Sequence, residues 1–179
     1  MLVRPRVVAA LCAALAAVTL TRPGWAQDVS GANLKAAYIY QFALFTEWPA
    51  DALPQAGPLT MCVVGDTAVR DALERTAKKP AAAARPFVVA FGQSDKPSSP
   101  CHALYVSGVS SAQAARILAG VRQLPVLTMS DVEGFNRMGG IAEFFFEAGQ
   151  LRFAIRPDAV TQSHLQLSSA LLRLARPSR

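Results

Sequence analysis

The chain of 179 residues is poor in the residues that carry catalysis and metal binding. It has two histidines, three cysteines and only 17% charged residues. There is no C-x-x-C, no H-x-x-x-H and no cluster of acids, so a zinc or other metal site has no ligand set to start from. There is no G-x-S-x-G elbow and no G-x-G-x-x-G, which removes the usual α/β-hydrolase and dinucleotide signatures. Cys101 and His102 are adjacent on a predicted strand, so their side chains point to opposite faces and make a poor nucleophile–base pair. His164 and Ser168 are four apart on a predicted helix, but His164 falls on its apolar stripe, the place of a core or boundary histidine. No catalytic residue, metal ligand or cofactor is expected.

What the chain has in quantity is apolar surface, with 52% hydrophobic residues and a net charge of +6. That composition excludes a disordered polymer, and the length suits one domain. Part of the charge belongs to the N-terminus. Arg4 and Arg6 precede an apolar run from Val7 to Leu20, and Gly24-Trp25-Ala26 sets small residues around a cut before Gln27, the pattern of a cleavable export signal. The run falls short of the roughly 20 residues of a membrane span. Cleavage takes Lys+Arg from 18 to 15 against 12 Asp+Glu, leaving residues 27–179 at +3. The remaining arginines are dispersed without interleaved aromatics, so nucleic acid is not an expected partner. An exported, soluble, periplasmic domain is expected.

In an oxidising compartment the two remaining cysteines, Cys62 and Cys101, are expected to pair. Two buried free thiols are the alternative.

Hydrophobic patterning predicts helices over Ala32–Glu47 (capped by Ser30), from Asp66 to Lys78, from Ser110 or Ser111 to Gln123, and from Pro157 to Arg176. A short helix is predicted over Asp131–Arg137. Strands are predicted at Leu59–Val64, Phe87–Phe91, Cys101–Val106 and Leu124–Thr128. A hairpin, Ile141–Glu147 and Leu151–Arg156, turns at Ala148-Gly149-Gln150. Glu143 and Glu147 fit its solvent side. Alternating strands and helices predict a single-domain layered α/β sandwich: a mostly parallel sheet, a C-terminal antiparallel hairpin and a terminal helix.

Two helices carry more apolar surface than one core-facing stripe requires. In the first, Leu34, Tyr38, Phe45 and Trp48 share a face while Ile39 and Tyr40 lie off it. In the last, Val160, Leu167, Leu171 and Leu174 form a stripe, with Leu165 and Leu172 well off it. The surplus either fills a second layer of one core or faces a partner. Tyr38, Phe42, Trp48, Leu165 and Leu172 are the candidate partner or dimer surface.

The ordered features are an aromatic helix ending in Trp48-Pro49, Leu59 to Gly65, Cys101 to Ser107, and Pro125 to Asp131 with Gly134 and Phe135. Gly139-Gly140-Ile141, Leu151 to Ile155 and Leu165 to Ala175 follow. Together, from about Leu34 to Ala175, they resemble the YfiR-like family of periplasmic proteins. The resemblance implies a non-enzymatic repressor that binds the periplasmic domain of an inner-membrane diguanylate cyclase and restrains cyclic-di-GMP synthesis, biofilm and exopolysaccharide output. It also implies a homodimer, possible sequestration by an outer-membrane lipoprotein, and Cys62 and Cys101 as the family's bridging pair. This chain departs from the family at Arg156-Pro157, where Asn often follows the last strand, and has no further cysteine near the Gly-Gly turn. The competing expectation is a small-ligand sensor or solute-binding domain with a pocket at the strand ends near Gly65 and Ser107.

Overall fold

A computed structural model describes residues 25–53, 57–80, 82, 85–92 and 100–177. The body of the export signal and the Ser/Pro-rich loop after Gly92 lie outside the described residues.

In chain order the elements are α1 (Trp25–Leu44), β1 (Thr46–Glu47), β2 (Leu59–Val64), α2 (Thr67–Ala77), β3 (Phe87–Gly92) and β4 (Ala103–Val106). Then come α3 (Ser111–Val121), β5 (Leu127–Ser130), β6 (Ala142–Glu147), β7 (Gln150–Ile155), α4 (Pro157–Gln162), β8 (Gln166–Leu167) and α5 (Ser169–Leu174). The main sheet has six strands in the order β3-β2-β4-β5-β6-β7. All its pairings are parallel except the β6–β7 hairpin. The expected layered α/β architecture is the one observed.

Strand order explains the layering. The chain steps from β2 outward to β3, then jumps back past β2 to β4 and continues to β5. Right-handed crossovers that run in opposite directions place their helices on opposite faces. Side chains alternate accordingly. Met61, Val63, Tyr105, Leu127 and Met129 point into the core shared with α1 and α2. Cys62, Val64, Leu104 and Val106 point into a second core under α3, with Ala114, Ile117 and Leu118.

Local caps fix the helix starts. The Asp66 carboxylate accepts from Val69 N–H (3.0 Å), and the Ser110 hydroxyl accepts from Gln113 N–H (3.2 Å). The hairpin closes in two residues, Ala148 and Gly149, both at positive φ (49° and 75°), so Gln150 belongs to β7 rather than to the turn.

Several boundaries differ from expectation. Helix α1 begins at Trp25, not Ala32, because an established helix extends at little cost through residues that carry no proline. It also ends earlier, at Leu44. The Thr46 hydroxyl donates to Phe42 O (2.7 Å), and Thr46-Glu47 turns extended to pair with Leu167 and Gln166. Residues 131–137 form turns instead of a helix. Glu143 is the reason: its two carboxylate oxygens accept from Gly134 N–H and Asn136 N–H, 3.0 Å each. Glu143 is therefore half-buried and bonded, not a solvent-side strand residue.

The last helix is two helices. His164 takes φ 54° at the end of α4. Leu165 N–H donates to Val160 O and His164 N–H to Thr161 O, and both Leu165 and Val160 are buried. This is the Schellman arrangement, with His164 in the left-handed position that glycine usually fills. His164 is exposed there, not a core residue of an apolar stripe. The chain then forms β8, and Ser168 caps α5 through Leu171 N–H (3.3 Å).

Candidate functional site

The apolar surplus of α1 is resolved by its neighbours. Ala32, Ala36, Ile39 and Ala43 recur at helical spacing and are buried, with Tyr40 and Phe42 beside them. The face expected to lead, from Leu34 through Phe45, is the outer one: Leu34 is 41% and Phe45 43% exposed.

Part of that outer face lines a groove of about 260 Å³, built by α1, β7 and α5. Tyr38, Phe42 and Phe45 come from α1, Leu151 and Phe153 from β7, and Leu171 and Leu174 from α5. Its floor is an aromatic stack. Phe42 meets Phe153 edge-on at 4.8 Å between ring centroids and Phe144 at 5.4 Å. Tyr38 meets the same two rings at 6.2 and 6.1 Å, and its hydroxyl donates to Leu151 O (3.2 Å). Such packing fixes the floor in one arrangement, so an occupant meets a preformed surface.

The rim is open and mostly apolar, with Gln41 and Arg152 as its polar members. Leu174 is 70% exposed. Phe146, also exposed, pairs with Leu151 two residues along from the Phe144–Phe153 pair, so it continues the same sheet face beyond α1. The α5 wall is tied down by backbone bonds: Ser168 N–H to Phe45 O (2.9 Å) and Arg176 N–H to Phe153 O (2.8 Å).

Of the five candidate surface residues, the fold brings Tyr38 and Phe42 together in this groove. Phe42 is buried in its floor and Tyr38 half-buried in its wall. Leu172 is exposed on α5, outside the groove lining. Leu165 is buried under the α4–β8 turn and offers no surface. Trp48 lies apart, half-buried. Its indole N–H donates to His102 O (3.2 Å), and the Arg85 guanidinium sits 5.5 Å over its ring. Phe45 and Leu174 are the rim residues missing from the candidate set. The spacing of Tyr38, Gln41, Phe42 and Phe45, one face at i, i+3, i+4 and i+7, is the signal that finds Phe45.

Cys62 and Cys101 form a disulfide, with Cα atoms 5.8 Å apart. It ties β2 to the segment entering its neighbour β4. His102, next in the chain, is held as a structural residue. Its Nδ1 accepts from Thr60 N–H (2.9 Å), which leaves the proton on Nε2 to donate to Ala52 O (3.1 Å).

The crevice between the ends of β2 and β4 is where open α/β sheets usually admit a ligand. Here the backbones meet. Gly65 has φ 86°, and a Cβ on it would stand 1.9 Å from Ser107 O. Lys35 of α1 reaches over the strand ends to Asp131 (2.6 Å) and Asp66 (3.9 Å). Tyr105 lies beneath, fully buried. Burial, reinforced by the Asp131 charge, pushes its phenol well above the ordinary tyrosine range. Among the described residues, the chain's own groups occupy the place expected for a pocket near Gly65 and Ser107.

The family model described as YfiR/HmsC-like matches residues 32–176, which includes every wall of the groove and both bridged cysteines. No curated protein matches the chain.

Proposed function

Because the chain belongs to the YfiR/HmsC-like family, we propose that it is a non-enzymatic periplasmic regulator that binds the periplasmic domain of an inner-membrane diguanylate cyclase. Residues 1–26 are its cleaved export signal in this reading. Among the described residues, no helix is long and apolar enough to cross a membrane.

The observation that carries the proposal is the groove between α1, β7 and α5. It is a preformed, largely apolar surface with Phe45 and Leu174 exposed at its rim. Occupancy of the cyclase by this protein favours the inactive population, so cyclic-di-GMP synthesis falls and biofilm and exopolysaccharide output fall with it. An outer-membrane lipoprotein or a second copy of the chain would compete for the same face and release the cyclase.

Binding of the purified protein to the purified periplasmic domain of that cyclase, read by biolayer interferometry, tests the proposal. Full burial of a phenylalanine side chain is worth about 1.5–3 kcal/mol. Phe45→Ala should therefore weaken binding roughly ten- to hundredfold while the fold is kept. Unchanged affinity in Phe45→Ala and Leu174→Ala would remove the groove from the interface. No binding by the wild type would remove the partner.

A further inference from the structure

The lining of the α1–β7–α5 groove is hydrophobic or aromatic apart from Gln41 and Arg152, and Arg152 is the one charged side chain among the lining residues. We infer that the groove seats an amphipathic helix of the partner, whose apolar stripe is flanked by a carboxylate that pairs with Arg152. This rests on the regulatory reading above and specifies the chemistry of the partner at that face.

Other cations that pack against the same elements have carboxylates. Lys35 of α1 bonds Asp131 at 2.6 Å, and Arg176, beside the end of α5, faces Glu147 at 3.6 Å. Arg152 has no ion pair among the described residues. Its Nη2 donates to Gln150 Oε1, a neutral acceptor, and this contact lies at the surface. Its Nε–H lies deeper, buried and without a hydrogen-bond partner among the described residues. A guanidinium that is partly desolvated and uncompensated favours an opposite charge brought to its open end. Its planar fork suits a carboxylate, and arginine beside an apolar cluster is a frequent binding anchor.

The backbone of β7 argues for a helix rather than an added strand. β7 is the outer strand of the sheet, but its outward groups are in use. Leu151 O accepts from the Tyr38 hydroxyl (3.2 Å), Phe153 O accepts from Arg176 N–H (2.8 Å), and Ala154 is bridged by Arg176. What the groove offers is side-chain surface, and a helix meets such a surface with anchors at i, i+3, i+4 and i+7. Leu151 and Phe153 face α1, so Arg152, between them, leaves β7 on the other side of its edge. The acid therefore belongs beside the apolar stripe of the docked helix, not within it.

Biolayer interferometry of the purified protein against the purified periplasmic domain of the cyclase, at low and high salt, tests this. Wild type should bind, and more weakly as salt rises. Arg152→Gln should lower the affinity by about tenfold or more, the loss of one charged hydrogen bond, and should flatten the salt dependence. Arg152→Lys keeps the charge without the fork and should fall between the two. Arg152→Glu should lose binding, and a Glu→Lys or Asp→Lys substitution at one position on a surface helix of the cyclase domain should restore it. Thermal unfolding checks that each variant is folded. Wild-type affinity and salt dependence in Arg152→Gln, or the absence of any restoring position, would overturn the assignment and leave the regulatory reading standing. No binding by wild type would overturn the regulatory reading itself. Decanoate that displaces the cyclase domain from wild type, and fails to bind Arg152→Gln, would assign the anion to a small fatty acid and overturn the helix.

Discussion

Opening the Cys62–Cys101 bridge should cost the protein a large part of its stability. The two cysteines are 39 positions apart, and the segment between them contains β2's exit, all of α2, the edge strand β3 and the return to β4. Closing a loop of that size removes about 4 kcal/mol of chain entropy from the unfolded state in the loop-entropy treatment. Domains of this kind have about 5–15 kcal/mol in all. The paired Cys62→Ala/Cys101→Ala variant is the cleaner perturbation, because Cys62 is buried among Val64, Leu104 and Val106, and a serine hydroxyl there would add an unsatisfied polar group. Urea unfolding of the oxidised protein, the reduced protein and the double variant gives the comparison. The reduced and substituted forms should agree with each other and lie about 4 kcal/mol below the oxidised form. A melting temperature lower by roughly 10–15 °C should accompany the loss. A difference under about 1 kcal/mol, or two titratable thiols in denatured protein from an oxidising compartment, would refute the reasoning.

The two faces of α1 should respond differently. Phe42→Ala empties the aromatic floor and should cost about 3–5 kcal/mol, whereas Phe45→Ala at the rim should stay within about 0.5 kcal/mol of wild type; both are read by urea unfolding. Gly65→Ala demands a left-handed alanine whose Cβ collides with Ser107 O, so a loss of about 3 kcal/mol or more, or insoluble protein, is expected on expression and melting. Tyr105 gives a pH test. Its neutral form is favoured in the fold, so the contribution is intact below the unfolded tyrosine value near pH 10 and is lost as pH rises from there toward the higher folded value. Tyr105→Phe removes that titrating hydroxyl and should abolish the alkaline loss. Relative to wild type, the variant should gain up to about 1.4 kcal/mol per pH unit above pH 10 in urea midpoints; a difference that stays constant with pH would contradict the assignment.

The layered fold was legible where local signals and burial agree. Leu59–Val64 is a continuous apolar run because both faces of β2 are covered, and Asp66 and Ser110 cap their helices by side-chain bonds to nearby N–H groups. The failures have tertiary causes. Residues 131–137 have helical composition, but Glu143, distant enough to escape a local window, holds their N–H groups in a turn. The break at His164 is invisible to periodicity because nothing marks it as a left-handed residue. The Schellman bonds and the burial of Leu165 against Val160 hold it there. For the partner surface, the sequence shows an excess of apolar residues on two helices. Which side of α1 is inward depends on β6 and β7, whose Phe144 and Phe153 take Phe42 into the core and leave Phe45 at the rim.

The central claim is restraint of a membrane diguanylate cyclase through the α1–β7–α5 face. Cellular cyclic-di-GMP in a strain deleted for this protein, complemented with wild type or with Phe45→Asp/Leu174→Asp, tests it most directly. The account predicts a rise on deletion, full reversal by wild type, and no reversal by the folded double variant. Cyclic-di-GMP that does not change on deletion, or that the double variant restores as well as wild type does, would contradict it.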